Sequence, residues 1–214
     1  MTVTCISTQA LMKVSADLIE QFEQEQSGGN ASGKEQYLRY SEKTFTKAEF
    51  ALLETDPLEY WHVWGRAVGE GQKDKVFRFL EQPSMQEVEL ELGENFTPST
   101  KYDSTEIESP KKTLTWPVYN WTEKKVQVLE ATHITVIKSF LKYGLNRKYA
   151  RNLLSWDFEL SRVVSDRVRY DLMIVPRDEE EHSEEEMDAA WNAVTKKGFD
   201  LKMLITGGDP FSPA

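Results

Sequence analysis

The chain has 214 residues, with 26 Lys and Arg against 36 Asp and Glu, so its formal net charge is -10 and its pI is near 5.0. That length predicts one sizeable core with tails to spare. A single cysteine, Cys5, excludes an internal disulfide and any cysteine-based zinc site, and the separated His62, His133 and His182 offer no metal-ligand spacing. No metal or cofactor is therefore expected. No run approaches the ~18 apolar residues that span a bilayer, which points to the cytoplasm and to no membrane partner.

In chain order, Leu11, Val14, Leu18 and Phe22 repeat at helical spacing, and residues 27–33 (SGGNASG) read as a linker. Residues 1–35 thus form an N-terminal extension. Residues 36–40 read as a short strand. Thr46 and Glu49 have capping-box spacing, which predicts a helix ending before Pro57. Tyr60, Trp61, Val63 and Trp64 form an aromatic cluster, read as core or lid because such rings bury so much apolar area.

Residues 75–80 (KVFRFL) alternate, which sets Val76, Arg78 and Leu80 on one face and Lys75, Phe77 and Phe79 on the other. An arginine among apolar neighbours must either reach a carboxylate or line a groove that carries anions. Val88, Leu90 and Leu92 alternate with glutamates and predict another half-exposed strand. Residues 93–110 read as a long insertion.

Residues 114–130 (LTWPVYNWTEKKVQVLE) read as a hairpin with a charged turn. Residues 132–143 then have helical spacing, and 156–164 and 170–177 return to strand composition. With 75–80 as a further strand, the order predicts a mainly β protein of the α+β class. Its expected form is a five-stranded OB-type barrel with a helix between strands three and four, over residues 36–177.

The charge is segregated. Residues 138–151 hold Lys138, Lys142, Arg147, Lys148 and Arg151 and no acid, whereas 178–188 hold eight acids and no Lys or Arg. Residues 178–214 read as an acidic C-terminal arm, with Ser183 and Glu186 opening a helix that Gly198 ends.

No enzyme signature is present: there is no phosphate-binding glycine loop, no nucleophile elbow and no metalloprotease motif. Single-strand binding needs a basic track and flat rings for unpaired bases, and the hairpin supplies both in Trp116, Tyr119, Trp121, Lys124 and Lys125. Alternation sets Trp116 opposite to Tyr119 and Trp121, so at least one of these sets is core. Arg78 joins the candidate contacts, with the five bases of 138–151 as a second track.

The run TWPVYNWTEKKVQVLEATHITVIKSFL, followed by YDLMIVPR, resembles bacteriophage-type single-stranded DNA-binding proteins with an OB-fold. KVFRFLEQP resembles the first barrel strand of that family, with ALLETDPLEYW in the same region. The resemblance implies coating of single-stranded DNA, with little sequence preference, during replication or recombination. Many such proteins carry a zinc ribbon, which this chain lacks the cysteines to build. Asp209, Pro210 and Phe211 are similar to the acidic tip by which bacterial single-strand binders dock replication or recombination partners, although three residues follow it here. The acidic arm would serve partner docking or autoinhibition. Self-association stays open, RNA stands beside DNA because stacking does not read the sugar, and the rival reading is a protein-interaction adaptor.

Overall fold

The computed structural model describes residues 35–69, 71, 73–98, 110–164 and 168–212. The chain divides into two compact units, Met1–Gln36 and Tyr37–Ala214, and the sheet with its helices belongs to the second. The helix expected at 11–22, the linker at 27–33 and residues 99–109 of the expected insertion lie outside the described residues.

Eight strands build one antiparallel sheet: β1 (Lys47–Leu52), β2 (Leu58–Ala67), β3 (Lys75–Phe79), β4 (Phe96–Pro98), β5 (Lys111–Asn120), β6 (Lys125–Ala131), β7 (Trp156–Val164) and β8 (Val168–Pro176). The α-helices among the described residues are α1 (Met85–Leu92), α2 (Ile134–Leu145), α3 (Arg147–Ala150) and α4 (Glu184–Lys196). The protein is mainly β, of the α+β class. Eight strands stand where five were expected, and α2 falls between the sixth and seventh.

β5 is the strand on which the sheet forks. One edge pairs along β6, from Leu114↔Ala131 to Asn120↔Lys125. The other edge pairs first with β2, ending at Leu58↔Thr115, and then with β1, starting at Leu52↔Val118. β1 and β2 are therefore one interrupted strand, whose linking residues Leu53, Glu54, Thr55, Asp56 and Pro57 stand opposite Trp116 and Pro117 alone. A proline cannot donate to a ladder, and Pro117 sits where β5 changes partner. Its carbonyl still accepts the Leu53 amide at 3.0 Å, which keeps the fork tied.

From the fork, one wing runs β1-β7-β8 and the other β2-β3, with β4 also on β2. Gly65 in β2 allows the second wing to pack, since a Cβ there would lie 2.6 Å from the Phe77 ring. No ladder joins β6 to β8 among the described residues, so the sheet is open. Both facing edges are occupied. Leu38 N donates to Val128 O on β6 at 3.0 Å, while Thr135 and Tyr143 of α2 donate their hydroxyls to the β8 carbonyls of Tyr170 and Leu172, each at 3.1 Å. Side chains of a covering helix thus satisfy an edge that another strand would otherwise take.

The helix expected from Thr46 and Glu49 is strand β1 instead. Ala48, Phe50 and Leu52 alternate into the core, and the strand is paired on both sides by β5 and β7, which outweighs a local cap. The strand expected at 88–92 is helix α1, where Val88 and Leu92 are buried one turn apart and Leu90 is 83% exposed. Ser84 and Glu87 close a reciprocal capping box there, which settles the period in favour of helix. Residues 36–40 make only a bridge, Tyr37↔Val128, and no ladder. The run 75–80, expected as the first barrel strand, is β3, which pairs with β2 alone.

Two layers flank the β5-β6 hairpin. On one face Val136, Ile137 and Phe140 of α2 pack on Leu114, Trp116, Val118 and Leu129, together with Phe50 and Phe158. On the other face Met187, Trp191 and Val194 of α4 pack on Tyr119, Trp121 and Val126, and the 3-10 turn Leu201–Leu204 covers Val128. Residues 178–212 are consequently part of the folded unit and not a separate arm.

Candidate nucleic-acid interface

The hairpin turn, expected as the binding surface, is closed. Trp116, Tyr119 and Trp121 are 4%, 1% and 7% exposed, so both aromatic sets are core and none offers a face for a base. Trp116 packs against Phe140 with ring centroids 4.4 Å apart and planes tilted by 33°, and Trp121 lies parallel to the His182 ring at 4.4 Å. Burial, with Glu186 beside it, pushes the Tyr119 phenol up to about 12. Lys124 and Lys125 remain on the surface but face acids: Lys124 Nζ is 3.6 Å from Glu186 and Lys125 Nζ 2.6 Å from Glu123.

A buried polar anchor holds α4 over this turn. Asp157, 1% exposed, accepts from Arg177 Nε at 3.0 Å and lies 2.7 Å from His182 Nδ1. Arg177 also donates to Leu154 O at 2.7 Å and sits over the Trp121 ring at 5.7 Å. A buried carboxylate is tolerable only with such partners. Asp209, Pro210 and Phe211 belong to the same layer. Pro210 is buried, Phe211 packs edge-on against Phe199 at 5.0 Å, and Asp209 accepts the Phe211 amide. The expected docking tip is folded against the sheet, not presented as a free end.

An open groove of about 600 Å³ lies instead on the β2-β3 wing. Cross-strand pairs His62↔Arg78 and Trp64↔Val76 put these four side chains on one face, and Tyr37, Arg39, Lys75 and Glu130 complete the walls. Its floor is a fixed network: Arg78 donates to Glu130 at 2.9 Å, the Tyr60 hydroxyl donates to the same oxygen, and Thr115 donates to Tyr60 at 3.1 Å. Burial draws the Arg78 guanidinium down, yet Glu130 and Tyr60 outweigh it and hold the group above its ordinary value. Burial and then Glu130 raise both the Tyr60 phenol and the Tyr37 phenol, the latter to about 12. Of the two alternatives drawn for Arg78, the carboxylate is the one found: it pairs with Glu130, on the groove lining.

One ring and two cations along the groove are exposed. Trp64 is 43% exposed, with Nε1 held by Asp74 at 3.3 Å, which leaves its face to solvent. Arg39 and Lys75 are exposed: Arg39 meets Glu42 at 3.8 Å and lies over the Tyr37 ring at 5.9 Å, and Lys75 Nζ lies over the Phe77 ring at 5.0 Å with no carboxylate in ion-pair reach among the described residues. Neither cation was singled out from the sequence, and Trp64 was read with its neighbours as core or lid. Strand alternation sets Tyr60 and Trp64 on the same face of β2, so the pattern of 60–64 alone does not separate buried Tyr60 from exposed Trp64. The bases Lys138, Lys142, Arg147, Lys148 and Arg151 are exposed on and after α2, and none of them lines the groove.

Among the described residues no group of three or more His, Cys, Asp or Glu could hold a metal ion, and no helix is long and apolar enough to cross a membrane. Comparison with protein-family models, curated proteins and solved structures finds no match for this chain.

Proposed function

We propose that this chain is a single-stranded DNA-binding protein of the bacteriophage type, non-enzymatic and tolerant of sequence, which takes the strand in the groove of the β2-β3 wing. The observation that carries the reading is the joint presence there of an exposed tryptophan and two exposed cations, Arg39 and Lys75. Stacking serves any base and cations follow the phosphates, so such a groove binds without reading sequence.

The strand order supports an OB-type barrel for the same residues. Taking interrupted β1-β2 as the first strand, β5, β6, β7 and β8 follow as the second to fifth, with α2 between the third and fourth. The first strand has both neighbours that the barrel order requires, β5 and β7, and α2 fills the place of the missing pairing between β6 and β8. OB-folds bind oligonucleotides over the second and third strands and the adjoining loops. The β3-α1-β4 insertion, which supplies one groove wall, occupies the loop between the first two strands.

The test is a fluorescence-anisotropy titration of a labelled single-stranded oligonucleotide, with duplex as competitor, at two salt concentrations. Binding should be salt-sensitive and resist duplex. Arg39→Ala with Lys75→Ala should lower the salt slope by about 1.4, at ~0.7 per phosphate contact. Absence of binding at low salt overturns the reading. The net charge of -10 would then favour the adaptor alternative, in which the chain bridges proteins without touching nucleic acid.

A further inference from the structure

The exposed stripe of α2 is both apolar and basic. Ile134, Lys138, Leu141, Lys142 and Leu145 recur at helical spacing on the side away from Val136, Ile137 and Phe140; Ile134, Leu141 and Leu145 are 57%, 51% and 83% exposed. Arg147, Lys148 and Arg151 extend the stripe. None of its five bases pairs with an acid among the described residues, and no acid interrupts residues 138–151. Solvated helix faces ordinarily mix both signs and avoid exposed leucines.

The complementary surface is on the same chain. Of the eight acids in 178–188, Glu184 meets Arg177, Glu186 meets Lys124 and Asp178 accepts the Glu180 and Glu181 amides, whereas Glu179, Glu180, Glu181, Glu185 and Asp188 are exposed without a cation among the described residues. The two surfaces cannot meet within one molecule. α2 lies on the Trp116 face of the β5-β6 hairpin and α4 on the opposite, Tyr119 face, and the buried Asp157 anchor ties the start of the acidic segment there.

We propose that the α2-α3 ridge is the docking site for residues 178–188 of a second copy of this chain, joined head to tail. Charge complementarity favours this occupant: the ridge carries five bases and no acid, the segment 178–188 eight acids and no Lys or Arg, and their contact offsets the general repulsion between molecules of net charge -10. The apolar stripe between the lysines gives the contact something to bury. Since the two surfaces differ, the contact is heterologous, and repetition adds copies in a line unless rotation closes a ring. The inference stands apart from the groove and does not depend on nucleic-acid binding.

Sedimentation velocity of the full chain tests it. The wild type should exceed monomer mass as concentration rises at low salt and return to monomer at high salt. The triple variant Lys138→Glu, Lys142→Glu, Arg147→Glu and the triple variant Glu180→Lys, Glu181→Lys, Glu185→Lys should each weaken self-association at least ~10-fold. All six sites are exposed, and mixing the two variants should restore association, because each keeps the surface that the other has lost. A wild type that stays monomeric at low salt overturns the proposal, and so does a mixture that stays monomeric. Loss of oligonucleotide affinity in the first variant with unchanged self-association also overturns it, making the ridge a phosphate track.

Discussion

The turn of the β5-β6 hairpin and the groove beside β2-β3 hold nearly the same chemistry, tryptophan, tyrosine and cations on adjacent strands, yet one is closed and the other open. At the turn, α4 and the Asp157 anchor cover Trp121 and Tyr119, and acids face both lysines. In the groove, Glu130 pairs with Arg78, whereas Trp64, Arg39 and Lys75 stay exposed. Aromatic and basic composition is therefore no guide to a binding surface until the partners of each ring and charge are known. A ring under a helix stabilises the fold, whereas a ring facing solvent can stack a base.

Changing one tryptophan in each region should separate these roles. Trp121→Ala should cost about 3–5 kcal/mol in denaturant unfolding, as for other buried aromatic truncations, and leave the affinity of the folded fraction for single strands unchanged. Trp64→Ala should do the reverse, weakening single-strand affinity by about 1–3 kcal/mol, roughly 5- to 150-fold, with little change in unfolding midpoint. If Trp121→Ala instead weakened binding and left stability intact, the assignment of open and closed regions would be inverted.

Lys124→Ala with Lys125→Ala should give a smaller effect, within about 1 kcal/mol of wild-type stability, because exposed ion pairs contribute little. The salt slope of single-strand binding should not move, and a slope lowered by ~0.7 per lysine would bring the turn into the site.

The smallest effect needs alkaline solution. Tyr37 and Tyr119, both raised to about 12, should keep their protons above pH 10 in the folded chain. A folded value above the unfolded one gives stability that is fully present below pH 10 and lost as pH rises towards 12. Phenolate absorbance should show late-titrating tyrosines, with one fewer in Tyr37→Phe or Tyr119→Phe.

Local sequence determined what local physics decides. The β5-β6 hairpin, the β7-β8 pair, the apolar face of α2 and the Ser183 cap of α4 were all legible, because alternation, helical spacing and capping act over a few residues. Segment 47–52 carries both a capping spacing and a period of two, and only the presence of β5 and β7 on its two sides chose strand. Segment 85–92 held the opposite conflict, and the Ser84–Glu87 capping box together with the burial of Val88 and Leu92 beside Phe77 chose helix.

Around the candidate site, the need of Arg78 for a partner was legible, because a cation on an apolar strand face is costly unpaired, and Glu130 is that partner. The exposure of Trp64 was not legible, since nothing within 60–64 says which rings a distant element covers. The fates of Trp116, Tyr119 and Trp121 were likewise decided by α2 and α4, which arrive from later in the chain on opposite faces of one hairpin. Sequence by itself determined which side chains can stack and which carry charge. Tertiary structure decided which of them still face solvent, because burial and pairing depend on segments that lie far apart along the chain.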